Sequence, residues 1–503
     1  MSLPGWLDPL YEADEMRAAD TWAIEEQGVP SIDLMERAGA GLARVTAAAA
    51  GEGPVRVVIG KGNNGGDGLV TARLLREDGR EVDVLAIAPS DELRGDVRAN
   101  LERLPGGGPE PFAPERLDGS GAVVDALLGT GFEGEARDPA AGAIDAINGQ
   151  QAPVVSCDVP SGVNASSGEV EGAAVQAAVT VTFHGSKVGL HVMPGAAHAG
   201  RVEVVEIGIP RGGPTAGRSG LISARVLELF PPRPRSGSKF TSGVVVVVGG
   251  SMGLTGAPAM AALSAARSGA GYVQVAVPGP VQPAMDMRLL EQMSRGLPDD
   301  DGAHSPAGVE EVEELAGRAG AVVLGPGIGR SDAALEFARG VARAVEAPML
   351  IDADGLNAHA ERLESLAGRG APTVLTPHAG ELGRLLGVDP DEVERHRLRH
   401  AREAAVRSGA LVLLKGDDTL VVSPDGMAAV SPGGTPALAT AGTGDVLSGL
   451  IGALLAKELE PLEAASLGTL AHVLAGRAAA ERHGADHVIA GDVIEALPAA
   501  LSR

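Results

Sequence analysis

The feature that most constrains the fold of this chain is a repeated pattern of a short apolar run, a glycine-rich turn and an alanine-rich helical stretch. A first series of apolar runs comprises Val55–Ile59, Val82–Ile87, Ala122–Leu128, Val154–Cys157 and Val179–Phe183. A second series comprises Val244–Val248, Val273–Val277, Ala321–Leu324, Met349–Ile351, Thr373–Leu375 and Leu411–Leu414. Short β-branched runs that alternate with helical segments predict βαβ units, in which helices cover both faces of a parallel sheet. The pattern therefore predicts an α/β protein with two such sheets.

The two series are separated by a segment rich in glycine, proline, arginine and serine. It includes Pro210–Pro214 and Pro231–Ser238, and the intervening Leu221–Phe230 is predicted to be helical. We place the domain boundary near residue 217, which gives one domain at 1–217 and another at 218–503. A chain of 503 residues is long enough to bury a separate core in each domain.

Charge and cysteine content exclude several classes of function. The formal net charge of −25 repels phosphate backbones, so we expect no nucleic-acid partner. The single cysteine, Cys157, excludes a disulfide framework and fits a reducing cytosol. No apolar run reaches the ~20 residues that span a bilayer, and the N-terminus lacks the pattern of a signal peptide. We expect a cytoplasmic protein without a membrane partner.

A glycine-rich segment, Gly60–Gly68, follows the first predicted strand of the first series. Its GxGxxG spacing alone indicates no more than a tight turn or a dinucleotide loop. Asn63, Asn64 and Asp67 add amides and a carboxylate, and that carboxylate would repel the pyrophosphate in a simple dinucleotide turn. We interpret the segment as a ligand-binding loop, followed by a helix predicted over Leu69–Glu77.

Two more strand ends of the first series carry carboxylates, Asp125 and Asp158. The carboxyl ends of parallel strands share one edge of the sheet, and open α/β sheets bind ligands at that edge. Capping of a turn is the alternative role for each aspartate taken singly. Their coincidence at one edge favours a binding site, and oxygen ligands without cysteine or paired histidine suit a hard cation.

The stretches Asn63–Gly68, Asp125–Gly131 and Asp158–Gly162 resemble the motifs of the NAD(P)H-hydrate epimerase family. The resemblance implies a Rossmann-like three-layer α/β/α domain and a potassium ion held by Asn64, Asp125 and Ser161. It also implies Asp158 as the candidate acid/base. The implied contacts to the hydrated dinucleotide are Asn63, Asn64, Gly65, Gly66, Asp67, Gly129, Thr130, Gly131, Phe132, Glu133, Gly134, Glu135 and Asp158.

The strongest motif of the second series is Thr440–Gly449, where small residues lead into a helix predicted over Gly444–Ala456. Backbone N–H groups of Gly442–Gly444 can hold a transferring phosphoryl group, and Asp445 can take a hydroxyl proton. The alternative is an aspartate that only stabilises the helix N-terminus. No Walker A sequence occurs in the chain, which excludes a P-loop mechanism.

Other strand ends of the second series carry further candidate site residues, and each of the polar ones has two possible roles. Lys415 suits phosphate contact, or is a solvated turn lysine. His378 is a candidate ligand-contacting imidazole, or a structural one. Asp352–Asn357 supplies acids for magnesium or for shaping the site. Gly325–Gly329 allows a close backbone approach.

Together with Gly249–Ser251 and Gly256–Pro258, these motifs resemble the ADP-dependent NAD(P)H-hydrate dehydratase family of the ribokinase-like superfamily. The resemblance implies a ribokinase-like α/β/α domain, with substrate contacts from Ala257, Gly327, His378 and Asp445. The implied contacts to ADP and the transferred phosphoryl group are Lys415, Gly416, Asp417, Asp418, Thr419, Gly442, Thr443 and Gly444. Lys239 departs from the glycine-rich entry expected there, and its role is left open.

The two resemblances imply a bifunctional repair enzyme. It would interconvert the R and S forms of hydrated NADH and NADPH, and dehydrate the S form with ADP and magnesium, as a homo-oligomer. One alternative is an ATP-dependent small-molecule kinase with a fused regulatory domain. Another is a protein whose first domain only senses or binds a dinucleotide.

Overall fold

The computed structural model describes residues 3–233 and 235–502. The outermost residues of the two predicted domains, and Pro234 of the predicted linker, lie outside the described residues. The chain forms two compact units, which divide between Gly220 and Leu221, and the segment Pro4–Asp8 belongs to the second unit. The assignment of functional domains to 1–217 and 218–503 stays a prediction.

The elements that precede this division are short strands and helices in alternation. The strands are β1 (Leu7–Tyr11), β2 (Val55–Ile59), β3 (Val82–Ala86), β4 (Glu110–Pro111), β5 (Ala122–Ala126), β6 (Val154–Cys157), β7 (Val179–Phe183), β8 (Ser186–Lys187) and β9 (Arg201–Val205). The α-helices are α1 (Ala13–Thr21), α2 (Ser31–Ala49), α3 (Asn63–Glu77), α4 (Gly95–Arg103), α5 (Ala140–Asn148) and α6 (Gly195–Ala199).

The same alternation continues from Ser219 onward. The strands are β10 (Ser219–Ile222), β11 (Val244–Val248), β12 (Tyr272–Pro278), β13 (Met293–Leu297), β14 (Asp299–Asp300), β15 (Ala303–His304), β16 (Ala321–Leu324), β17 (Met349–Ile351), β18 (Thr373–Leu375), β19 (Leu411–Leu414), β20 (Leu420–Val422) and β21 (Ala428–Val430). The α-helices are α7 (Gly256–Arg267), α8 (Gln282–Arg288), α9 (Val309–Ala316), α10 (Asp332–Ala344), α11 (Asp354–Asn357), α12 (Ala379–Leu386), α13 (Pro390–Arg395), α14 (Arg397–Ser408), α15 (Thr443–Ala456), α16 (Pro461–His483) and α17 (Ala490–Leu501).

The first unit is built on a seven-stranded sheet in the order β4-β3-β2-β5-β6-β7-β9, in which all neighbours are parallel. Both faces of this sheet are buried, because alternate residues of one strand belong to different apolar clusters. Val57 and Ile59 pack in one cluster, whereas Val58 packs in the other. The register sets Asp125 of β5 opposite Ser156 of β6. The predicted parallel α/β architecture is confirmed for this unit.

In the second unit the strands follow the order β13-β12-β11-β16-β17-β18-β19-β20-β21. Pairing is parallel from β13 to β19 and antiparallel from β19 to β21. The valine run of β11 is central and almost wholly buried, as expected for a strand covered on both faces. The carboxyl ends of β17, β18 and β19 lead into Asp352, Thr376 and Lys415.

The structure corrects the predicted start of the helix after Gly60–Gly68. The helix begins at Asn63 rather than Leu69, so most of the predicted loop is its first two turns. Gly65 makes this possible, since a Cβ there would lie 2.1 Å from the Gly60 carbonyl oxygen. Glycine disfavours helix in isolation, but this close contact with the strand end outweighs that propensity.

The predicted helix over Leu221–Phe230 is also corrected. Ser219–Ile222 is a strand, and Ala224–Leu229 is a short 3-10 helix whose first turn is capped by the Ser223 hydroxyl. Serine at this position favours a helix start, because its side chain accepts from a backbone N–H of the first turn. The prediction therefore placed the start of the helical segment too early in the chain.

Replacing Gly65 with alanine should destabilise the first unit, because the added methyl group would clash with the Gly60 carbonyl. We expect Gly65→Ala to lower the free energy of unfolding by about 1–3 kcal/mol, the usual cost of overpacking. Gly62→Ala is the matched control, since nothing lies within 4 Å of its Cβ position. Urea unfolding followed by Trp22 fluorescence in a Trp6→Phe background measures both, and equal effects would contradict the argument.

Candidate functional site

A cavity of about 1040 Å³ in the first unit lies beside the ends of β2, β5 and β6. The structure brings nine of the predicted substrate-binding residues to its wall: Asn63, Asn64, Asp67, Gly129, Thr130, Gly131, Phe132, Glu133 and Asp158. Gly65, Gly66, Gly134 and Glu135 are not among the lining residues. Gly65 and Gly66 instead pack closely, against the Gly60 carbonyl and the Met35 thioether respectively.

Asp158 lies directly after β6 in a left-handed backbone conformation, with φ of 64°. Its Oδ1 accepts from Lys187 Nζ at 2.6 Å and from Thr182 Oγ1 at 3.1 Å, and its Oδ2 accepts from Thr130 Oγ1. A non-glycine residue in this conformation is strained, and such strain is common at functional sites. The carboxylate is therefore held in one orientation at the cavity wall.

Lys187 was missed by the sequence analysis, although it lines the cavity and is only 1% exposed. It lies on β8, which pairs with the end of β1 so that Tyr11 is opposite Lys187. Its Nζ donates to Asp158 Oδ1, to Thr182 Oγ1 at 2.9 Å and to the Phe183 carbonyl at 2.9 Å. All three N–H bonds of the ammonium group are thus used.

The carboxylates of this cavity have different proton affinities. Burial opposes the charge of Asp158, but Lys187 and the hydrogen bonds around it outweigh burial and lower its pKa. Burial raises the pKa of Asp67 well above its usual range, and the charge of Asp158 adds to this. Burial also raises the pKa of Asp20 to about 6. The site thus holds one anionic carboxylate beside two that retain protons more strongly.

The three residues that the resemblance implies as potassium ligands also meet. Asp125 is fully buried and accepts from Ser161 N at 2.9 Å, from Ser161 Oγ at 2.5 Å and from Ser156 Oγ at 2.9 Å. Ser161 Oγ lies 3.3 Å from the Leu128 carbonyl, to which Asn64 Nδ2 donates at 2.8 Å. Burial raises the pKa of Asp125, and no ion pair reaches it from any residue that the structure describes.

In the second unit, Lys415 connects two carboxylates at the carboxyl edge of the sheet. Its Nζ lies 2.9 Å from Asp352 Oδ1 and 3.7 Å from Glu381 Oε2. The other oxygen of Asp352 accepts from Ser448 Oγ of α15 at 2.6 Å. Burial opposes the charge of Lys415, but Asp352 and Glu381 raise its pKa, so it is a cation at neutral pH.

The N-terminus of α15 faces this lysine. Gly442 precedes the helix with φ of 92°, and Asp445 is its third residue. A Cβ added at Gly444 would lie 3.7 Å from Lys415 Nζ. Burial, with the nearby charge of Asp352, raises the pKa of Asp445 to about 7. Free backbone N–H groups, one cation and a carboxyl that titrates near neutrality therefore meet in one place.

Other predicted site residues of this unit lie close together, cap a helix or form a buried ion pair. Gly327 and Ala257 are neighbours, since a Cβ at Gly327 would lie 3.4 Å from that of Ala257. His378 caps α12 through Nδ1, which accepts from Gly380 N at 3.0 Å, so the structural alternative holds for that nitrogen. Asp418 is buried against Arg397 at 2.9 Å, which anchors the turn after β19.

Three other residues predicted to contact ADP form hydrogen bonds with nearby backbone groups. Asp417 accepts from Gly434 N at 3.0 Å, and Thr419 donates to the Gly416 carbonyl at 2.7 Å. Thr443 donates to the Leu438 carbonyl at 2.8 Å. Lys239, whose role was left open, places its Nζ over two neighbouring aromatic rings, 5.1 Å from the Phe240 centroid and 4.9 Å from that of Tyr272.

Comparison with known proteins identifies the family of this chain. A family model described as NAD(P)H-hydrate dehydratase matches residues 245–499, and one described as YjeF-related protein N-terminus matches residues 31–189. The bifunctional NAD(P)H-hydrate repair enzyme Nnr of Salinibacter ruber is 41% identical over 97% of this chain and 95% of its own length. The chain belongs to this family of bifunctional NAD(P)H-hydrate repair enzymes. The resemblance drawn from the motifs is confirmed.

A second family member is similarly close. The Nnr enzyme of Moorella thermoacetica is 40% identical over 97% of this chain and 96% of its own length. Among solved structures, the ADP/ATP-dependent NAD(P)H-hydrate dehydratase of Bacillus subtilis, co-crystallised with ATP/Mg²⁺, is 29% identical. It covers 55% of this chain and 95% of its own length, with a TM-score of 0.48.

Removing the Lys187 ammonium group should destabilise the first unit, because it leaves the Asp158 carboxylate buried without a cation. We expect Lys187→Met to lower the free energy of unfolding by about 3–5 kcal/mol at pH 7. Asp158 would then have a raised pKa in the folded state, so the deficit should shrink as the pH falls and the carboxyl takes up a proton.

The double variant Lys187→Met/Asp158→Asn is the matched control. It removes the unpaired charge along with the lysine, so it should recover part of the lost stability. Urea unfolding by Trp22 fluorescence between pH 5 and pH 8, in the Trp6→Phe background, measures the three proteins. A deficit that is independent of pH and of Asp158 would show that the pair is not energetically coupled.

Proposed function

We propose that the first unit epimerises hydrated NADH and NADPH and that the second dehydrates the S epimer with ADP. In this scheme residues 1–217 are the epimerase domain and residues 218–503 the dehydratase domain. The observation that carries the proposal is a fixed lysine–aspartate pair at the carboxyl edge of each sheet. In the first unit the pair includes the candidate acid/base Asp158, and in the second unit the candidate base Asp445 lies near the pair. Relatives of the same bifunctional family align along nearly the whole chain, which supports both halves together.

In the epimerase site, the hydroxyl at the hydrated ring carbon leaves as water after it takes up a proton. The ring nitrogen supplies the electron pair, which gives a planar iminium that water can attack from the opposite face. Attack releases one proton, so the reaction consumes and returns the same number. The anionic Asp158 would stabilise the positive iminium and take the proton of the incoming water, since its low pKa keeps it ionised.

Asn64, Asp125 and Ser161 would hold the potassium ion. They offer an amide, one carboxylate and one hydroxyl, beside the Leu128 carbonyl oxygen. A single formal negative charge suits a monovalent ion better than calcium, which gathers several carboxylates. Within the described residues, no group of three or more histidine, cysteine or acidic side chains is arranged to hold a metal. When bound, the ion would offset the buried charge of Asp125.

In the dehydratase site, the substrate hydroxyl attacks the terminal phosphorus of ADP and the bond to AMP breaks. Asp445 would take the hydroxyl proton, which matches a carboxyl whose pKa is about 7. The ring nitrogen then expels phosphate, and loss of a proton from the neighbouring carbon restores the reduced nicotinamide. The products are NAD(P)H, AMP and phosphate, because phosphate is a far better leaving group than hydroxide.

Backbone and lysine would stabilise the transferred phosphoryl group. The N–H groups of Gly442, Thr443 and Gly444 open α15, where the helix dipole favours negative charge. Lys415 would act there as a point charge. Magnesium would enter with the phosphates of ADP, because magnesium commonly keeps several waters and few protein ligands. Ala257, Gly327 and His378 stay the proposed contacts to the hydrated ring.

No α-helix among the described residues is long and apolar enough to cross a membrane. We infer a cytoplasmic enzyme with small-molecule substrates, and the net charge of −25 supports the absence of a nucleic-acid partner. Assembly into a homo-oligomer stays a prediction, which light scattering of the purified chain would test.

Asp445→Asn should abolish dehydration and leave hydrate binding nearly intact, because the amide keeps the shape but takes no proton. We expect a loss of about 10²–10⁴-fold in kcat, the usual contribution of a general base. In the wild type the rate should rise with pH through about 7, since only ionised Asp445 accepts the proton. Absorbance of reduced nicotinamide reports the rate, and calorimetry without ADP reports binding.

Asp486→Asn is the control for this experiment, since Asp486 is exposed in a short 3-10 helix. It should leave both the rate and its pH profile unchanged. A loss below tenfold in Asp445→Asn would exclude the general-base role. Accumulation of a phosphorylated product, in place of reduced cofactor, would identify the protein as an ordinary kinase.

Epimerisation should depend on potassium. After dialysis into a bulky organic cation, the full chain should epimerise slowly, and potassium should restore the rate better than sodium. Asp125→Ala should remove the potassium dependence together with most of the activity, whereas Asp145→Ala, at an exposed position of α5, should leave both unchanged. Chromatography of the two epimers follows the rate. Equal rates in potassium and in the organic cation would show that no such site operates.

A further inference from the structure

We propose that Asp20 is a second catalytic residue of the epimerase site, which donates the proton to the departing hydroxyl. The inference rests on the proposed epimerisation and extends it to a residue outside every motif of the sequence analysis. Asp20 lies near the end of α1 and lines the same cavity as Asp158 and Lys187. Its helix precedes the first strand of the parallel sheet in the chain.

The reaction needs two groups of opposite character. A departing hydroxyl requires a proton donor, and the incoming water requires a proton acceptor on the other face of the ring. One carboxyl cannot be on both faces of a ring that is held in one orientation. Asp158 is fixed by Lys187, Thr182 and Thr130, and is therefore the anionic carboxylate of the pair before the substrate reacts. A separate group has to carry the proton of the leaving water.

The hydrogen bonds of Lys187 explain why Asp158 acts as the base and Asp20 as the acid. Its three N–H groups are taken by Asp158, Thr182 and the Phe183 carbonyl, which leaves none for Asp20. Asp158 thus has a directly bonded cation, whereas Asp20 has only the more distant attraction of that ammonium group. Two carboxyl groups in one cavity with unequal access to a cation separate into a base and an acid.

Two charged groups from other parts of the first unit, Lys187 and Asp158, act on Asp20. Burial raises the pKa of Asp20 to about 6; Lys187 lowers it, and Asp158 raises it. Asp67 of α3 is also affected by the charge of Asp20. On its own helix, Arg17 lines the cavity as well. A carboxyl group with a pKa of about 6 can release and recover a proton near neutral pH.

Asp67 is the competing proton donor, and its surroundings argue against it. It is fully buried, with Oδ2 at 3.9 Å from Cys157 Sγ, and its pKa is raised well above the usual range. Burial thus disfavours release of the Asp67 proton, and the Asp67 Oδ2 atom is already the acceptor for Cys157 Sγ. Asp20 is less buried, and its proton affinity matches the task better.

The proton balance closes without another reactant. Asp20 gives its proton to the hydroxyl, the carbon–oxygen bond breaks, and water leaves. Water then adds to the opposite face of the iminium, and Asp158 takes the proton that this addition releases. Proton return from Asp158 to Asp20 through water restores the site, and the opposite epimer reacts with the two roles exchanged.

The test compares Asp20→Asn and Asp20→Glu with the control Asp14→Asn, an exposed residue of the same helix outside the cavity. Epimerisation by the full chain is measured from one pure epimer between pH 5.5 and pH 8.5, with the rate without enzyme subtracted. We expect wild-type kcat to rise as the pH falls toward 6, because more Asp20 is then protonated. Asp20→Asn should lose about 10²-fold in kcat with little change in KM, as expected for loss of a general acid, and its kcat should no longer rise as the pH falls.

Asp20→Glu should restore part of kcat and part of the pH dependence, which a merely structural role would not do. Asp14→Asn should behave as the wild type. Asp20→Asn with a kcat within threefold of wild type and an unchanged pH profile would overturn the proposal while the epimerase function stands. A wild-type chain that does not epimerise the hydrate would instead overturn the proposed function itself.

Discussion

Parallel strand pairing is the constraint on which both candidate sites depend. It places the carboxyl end of every paired strand at the same edge of a sheet, so residues far apart in the chain meet there. In the first unit this edge gathers Asp125 and Asp158, and in the second it gathers Asp352 and Lys415. The polar residues follow apolar strands whose burial fixes their positions, so the chemistry depends on the packing of residues that take no part in it.

In each unit a lysine forms an ion pair with an aspartate at this edge. Lys187 lies 2.6 Å from Asp158, and Lys415 lies 2.9 Å from Asp352. The chain has only five lysines and a net charge of −25, so a lysine at both of these sites is uncommon. Lys187 is also almost wholly buried, with 1% of its surface exposed. In the first unit Lys187 keeps Asp158 anionic by lowering its pKa, and in each unit a neighbouring carboxyl, Asp20 or Asp445, has a pKa near the neutral range.

The sequence predicts most strands and the residues that directly follow them, because β-branched runs are distinctive and strand ends share an edge. It does not predict Lys187 or Asp20. Lys187 reaches the site through the pairing of β8 with β1, a contact between distant parts of the chain that no local pattern encodes. The helix start at Asn63 escapes prediction for a related reason, since the close approach of Gly65 to Gly60 outweighs the low helix propensity of glycine. Side-chain environments such as the capping role of His378 likewise emerge only from the folded chain.

The most important activity to establish is the conversion of either epimer of hydrated cofactor into reduced cofactor by one chain. Its most direct test supplies the full chain with the pure R epimer, potassium, magnesium and ADP, and follows the S epimer, reduced nicotinamide and AMP together. The account predicts that S appears first, that reduced nicotinamide follows after a lag, and that one AMP forms for each reduced cofactor. Without ADP, R and S should reach equilibrium with no reduced nicotinamide. An R epimer that persists unchanged, or AMP that forms without reduced cofactor, would contradict the account.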